Sequence, residues 1–220
     1  MKVPAIALAL VAVLAQVPGW CNAATLSVTI LDRDARPVPE VAVVVTAGSG
    51  PTGGTASSAV PITAVMDQIN LQFDPGLLVV AKGTTVSFPN SDDVAHQVYS
   101  FSPPKRFALP LYRGQSATPV TFDQAGIVIL GCNIHDSMIG YVYVADSPHF
   151  GKTDVRGRID FPDLQPGIYR VTAWSPWLAE DAPELGQQVV VEAAAVNAEF
   201  KLQRPMKPAP SQAKPKKLRY

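Results

Sequence analysis

From Val65 to Ala145 no stretch of this chain keeps a helical period for more than a turn or two. Instead, short runs of β-branched and aromatic residues recur between Gly, Pro and Asp turns. A chain patterned this way buries its apolar residues only by stacking sheets, which predicts an all-β sandwich or barrel. The spacing predicts strands over residues 70–73, 78–81, 85–88, 96–101, 120–122, 127–130 and 138–144.

The flanks follow the same grammar. Residues 26–31 alternate apolar and polar, Asp32 to Pro37 turn, and residues 41–45 form a run of Val and Ala, so 25–47 reads as two strands. A Gly/Ser/Thr/Pro-dense stretch from 48 to 61 reads as a linker. Beyond Asp146, residues 153–161 turn into a strand, Pro166-Gly167 makes a tight turn, and 168–174 alternates. Further strands are expected over 187–192 and 198–202. Residues 203–220 are rich in Pro, Lys and Ala and are expected to be disordered.

Residues 1–23 carry one base, Lys2, then an apolar stretch from Ala5 to Ala15, then Pro18-Gly19 and small residues at Ala23-Ala24. This is the layout of a cleaved secretory signal, and it places the mature protein in the periplasm. The stretch is shorter than the ~20 residues of a membrane span, and no later segment is expected to cross a membrane. The chain has 18 basic and 18 acidic residues, but Lys2 leaves with the signal and six bases (Arg204, Lys207, Lys214, Lys216, Lys217, Arg219) lie in the tail. The body is therefore acidic, which argues against nucleic-acid binding. The basic tail is a candidate for weak contact with an acidic surface.

Only two cysteines are present, Cys21 and Cys132, and Cys21 falls within the signal. Cys132 is then a lone thiol in an oxidising compartment, where a metal-held thiolate makes more sense than filler. Its neighbourhood, Gly131-Cys132-Asn133-Ile134-His135-Asp136-Ser137-Met138, sets a thiol, an imidazole and a thioether at Cys-x2-His-x2-Met spacing. His96 stands upstream, at the head of the 96–101 run. Two imidazoles, one thiolate and a weak axial thioether are the ligand set of a blue-copper centre, so His96, Cys132, His135 and Met138 are expected to hold one copper ion. The third histidine, His149, reads as a linker residue, and Trp174 and Trp177 read as sandwich core or edge. Lys105 and Arg106, in Pro103-Pro104-Lys105-Arg106-Phe107, are candidates for docking an acidic partner.

Residues 64–146 resemble the cupredoxins, most closely the plastocyanin and amicyanin-like group that includes bacterial proteins labelled as methylamine-utilisation proteins. The matching pattern runs through Phe73-x-Pro75, Gly83-Thr84-Thr85-Val86-x-Phe88, Pro89-Asn90-Ser91-Asp92, Val120-Thr121-Phe122, Ala125-Gly126, and then Cys132 to Met138. The short Cys-x2-His-x2-Met loop resembles that of amicyanin. The resemblance implies a Greek-key β-sandwich and a one-electron copper carrier. In many members Asn directly follows the first ligand histidine; here Gln97 does, so the hydrogen bonding around the ligands is not carried over.

The segment with Thr153-Asp154-Val155-Arg156-Gly157-Arg158 and Leu164-Gln165-Pro166-Gly167-Ile168-Tyr169 resembles the transthyretin-like, carboxypeptidase-regulatory sandwiches. That resemblance implies a second β-sandwich formed by 24–50 and 150–202, with the copper-type domain inserted; strands 25–60 packing on the copper domain is the other arrangement. Enzymatic activity is not expected, since four protein ligands leave no open position for substrate and no Ser-His-Asp constellation is evident. The expected partner is a redox protein such as a c-type cytochrome, an oxidase or a dehydrogenase. Copper storage, delivery or sensing is the second reading of the same ligands.

Overall fold

The computed structural model describes residues 23–48, 63–114, 118–178, 185–192 and 194–202. The expected signal apart from Ala23, almost all of the expected linker and the basic tail lie outside these residues. Among the described residues every regular element is a strand, and no helix is long and apolar enough to cross a membrane. The fold is all-β.

Two strands open it, β1 (Ala24–Leu31) and β2 (Ala42–Ala47). A central block follows: β3 (Thr63–Val65), β4 (Asp67–Ile69), β5 (Gln72–Asp74), β6 (Leu77–Ala81) and β7 (Thr84–Ser87). It continues with β8 (Tyr99–Ser100), β9 (Phe107–Ala108), β10 (Val120–Phe122), β11 (Gly126–Gly131) and β12 (Ile139–Ala145). The closing block is β13 (His149–Lys152), β14 (Arg158–Leu164), β15 (Gly167–Trp174), β16 (Leu185–Val191) and β17 (Val196–Lys201).

The opening and closing blocks share sheets. One sheet runs β14-β1-β17 and the other β13-β2-β15-β16. Alternation dictates the core between them: Leu26, Val28 and Ile30 of β1 meet Val43 and Val45 of β2 and Val171 of β15, all with no exposed surface. The central block forms a second pair of sheets, β10-β7-β3 and β6-β12-β11-β8-β9, around Met66, Phe88, Phe122, Leu130 and Val142. Where the two pairs meet, a third cluster joins Ala42 and Val44 of β2 to Leu77, Tyr143 and Ala145, with Trp174 and Trp177 packed against it. β2 and β12 are thus covered on both faces, which is why their sequences are nearly unbroken apolar runs.

Several local expectations change. Residues 70–73 are not one strand: Asn70 and Leu71 both take left-handed backbone angles (φ 56° and 59°) and form the two-residue turn between β4 and β5. The 96–101 run contributes only Tyr99 and Ser100 to a sheet, because His96 instead pairs with Tyr112 in an isolated bridge. His149 opens β13 rather than standing in a linker. Trp174 and Trp177, expected in core or at an edge, pack against the third core cluster where the two sheet pairs meet, Trp174 with its ring 5.8 Å from that of Tyr141 and 5.9 Å from that of Tyr143.

Candidate metal centre

The antiparallel ladder of β11 and β12 ends at the pair Gly131–Ile139, and the loop 132–138 closes it. Cys132 is therefore fixed by the strand behind it and Met138 by the strand ahead. Within the loop, Met138 N–H donates to the His135 carbonyl at 2.9 Å, closing a turn over residues 135–138. Cys132 and Met138 are 3% and 1% exposed, and both belong to the central core.

His96 reaches the same point from the other side. Its backbone exchanges two hydrogen bonds with Tyr112, each 3.0 Å. Asn90 braces this pair, its Nδ2 donating to the carbonyls of Val94 and Tyr112 at 2.9 and 3.0 Å. The ring of His96 has no exposed surface, and its Nδ1 stands 3.7 Å from Cys132 Sγ. His135 Nδ1 stands 3.9 Å from the same sulfur, and the two imidazoles meet edge to face with centroids 5.0 Å apart. Three expected ligands thus converge, their donor atoms all within 4.8 Å of one another, with His135 half-buried. Met138 is buried on the same loop, whereas Ile134 and Ile139 on either side of the His135–Met138 turn are about half exposed.

The donor set suits a metal. Two ligands held at about 2.0–2.3 Å from one ion stand about 3.5–3.8 Å apart; the His96 separation of 3.7 Å falls within that range and the His135 separation of 3.9 Å just beyond it. Soft thiolate with two imidazoles suits copper or zinc among common ions.

Sequence reading gave no role to Asp92. Its Oδ2 lies 2.8 Å from His96 Nε2 and accepts the Leu71 N–H at 2.9 Å, while Oδ1 accepts the Asn70 N–H at 2.6 Å. Burial pushes the carboxyl up, but the Leu71 N–H, the His96 ring and the Asn70 N–H together outweigh it and hold Asp92 below the usual carboxylate range. The available signal was an acid four residues before the histidine, at the end of Pro89-Asn90-Ser91-Asp92. Lys105, a candidate docking cation, is engaged by Asp123 at 3.2 Å.

Fold and site together define an all-β protein with a buried, nitrogen–sulfur cluster suited to a metal at the end of one sheet. Part of the chain is similar to the Cu-containing nitrite reductase from Thermus scotoductus SA-01, with 25% identity and a TM-score of 0.36, over 44% of this chain and 25% of that one. It is similar also to a variant of amicyanin in its reduced Cu(I) form at pH 4, with 24% identity and a TM-score of 0.34, over 47% and 98% of the two chains. A purple cupredoxin from Nitrosopumilus maritimus matches with 23% identity and a TM-score of 0.33, over 38% and 99%. The chain thus spans about a quarter of the nitrite reductase. No family profile matches it, and no curated protein matches its sequence.

Proposed function

We propose that this protein is a one-copper electron carrier of the cupredoxin type, exported to the periplasm. The observation that carries the reading is the convergence of His96, Cys132 and His135 on one point, with Met138 buried in the same loop. Copper held there would supply one-electron chemistry between Cu(I) and Cu(II). The chain's own contribution is to keep the donors still. Cys132 and Met138 are locked by adjacent strands, His96 by a backbone bridge and a carboxylate, so little reorganises when charge changes. His135 is the ligand nearest solvent, and the half-exposed Ile134 and Ile139 give a small apolar surface suited to brief redox encounters. The partner is a redox protein such as a c-type cytochrome, an oxidase or a dehydrogenase, and the carrier itself is not an enzyme.

Voltammetry of the copper-loaded protein in the presence of a Cu(I) chelator tests this. A carrier gives a reversible one-electron wave and retains its copper through repeated cycles. Loss of copper to the chelator on the first reduction would favour delivery or storage instead.

A further inference from the structure

Among the described residues, His96 is the clustered donor whose far side is engaged by a charged group, and the hydrogen-bond inventory of that group fixes where the proton sits. Asp92 receives two backbone N–H donors, from Asn70 and Leu71, on separate oxygens. A carboxylate so placed is an acceptor at both oxygens. The third contact, from Oδ2 to His96 Nε2 at 2.8 Å, therefore has the ring as donor. With the proton on Nε2, the lone pair of the neutral imidazole lies on Nδ1, the atom facing Cys132.

We propose that Asp92 is the positioning residue of the centre: it sets the tautomer and orientation of His96 and ties that ring to the turn between β4 and β5. This rests on the metal-centre reading above. The tie is multiple. Ser91 Oγ bonds Asp67 Oδ2, Gln68 Nε2 donates to the Pro89 carbonyl, and Asp92 holds both left-handed residues of the turn. The β4–β5 hairpin, which contributes no ligand, is in this way part of the ligand's support. A negative charge facing Nε2–H also strengthens Nδ1 as a donor and stabilises the more highly charged metal state, so it lowers the reduction potential.

The test has a metal-free arm and a loaded arm. Nitrogen NMR of the metal-free protein at about pH 8, above the ordinary imidazole range, should show His96 as a single Nε2–H tautomer with slow solvent exchange. In Asp92→Ala that proton should exchange rapidly and the ring should populate both tautomers. An Nδ1–H ring in the wild type would overturn the proposal, whatever the metal does. In the loaded arm, Asp92→Asn keeps one neutral acceptor for the ring but removes the charge. Its potential should rise while its copper stoichiometry stays at one; an unchanged potential would reduce Asp92 to a turn brace and overturn the electrostatic half. Failure of both wild type and variant to bind copper would defeat the copper reading and leave the tautomer result standing.

Discussion

Gly131 leads the backbone from β11 into the loop of the cluster, and its lack of a side chain is a packing requirement. A Cβ there would stand 2.8 Å from the Tyr99 ring, which lies across this peptide. Gly131→Ala is expected to cost about 1–3 kcal/mol as overpacking, read from urea denaturation. Gly131→Ala combined with Tyr99→Ala should cost less than the two single changes added together, since the ring is what clashes; strict additivity would contradict this contact. Asp154 gives a pH-dependent case. The Arg158 N–H, opposed by desolvation and reinforced by the Arg156 side chain and N–H, holds its carboxyl below the ordinary range. A lowered folded-state pKa stabilises at pH above the unfolded value and is lost as pH falls through the folded one. The stability advantage of wild type over Asp154→Asn should therefore be present at neutral pH and shrink below about pH 4, measured by denaturation at several pH values.

Among the elements, β2 and β12 both contribute buried residues to the junction of the two sheet stacks, and the Trp174 ring packs there against Tyr141 and Tyr143. Trp174→Ala should destabilise the protein by about 3 kcal/mol, read from chemical denaturation, and leave the visible spectrum of the metal-loaded protein unchanged. A spectral change would mean that the junction also shapes the site. How far the elements could be read from sequence follows their dependence on neighbours. β2, β10, β11 and β12 were legible because their apolar runs answer to local period alone. The β4–β5 turn was not, because Leu71 carries no turn signal and its left-handed angle is held by Asp92, 21 residues away. The shortening of the 96–101 run was hidden for the same reason, since Tyr112 claims the His96 backbone from a separate loop. The clustering of His96, Cys132 and His135 could be anticipated from residue types and spacing. Asp92 could not, because a carboxylate four residues from a histidine carries meaning only once the chain's path between them is known.

On the scale of the whole molecule, the chain lays down β1 and β2, builds the sheets that carry the cluster, and returns to complete the first two sheets. β1 is the middle strand of one returning sheet and β2 lies inside the other. Deleting residues 24–47 should consequently leave 149–201 open to limited proteolysis, and a resistant product would show that the closing strands stand without the opening ones. The central claim concerns the cluster itself, and one measurement reaches it most directly: the visible and electron paramagnetic resonance spectra of the protein with Cu(II), beside Cys132→Ala. An intense thiolate-to-copper band with narrow hyperfine splitting, absent from the variant, is the predicted result. A colourless protein, or a pale spectrum that survives the substitution, would contradict the account.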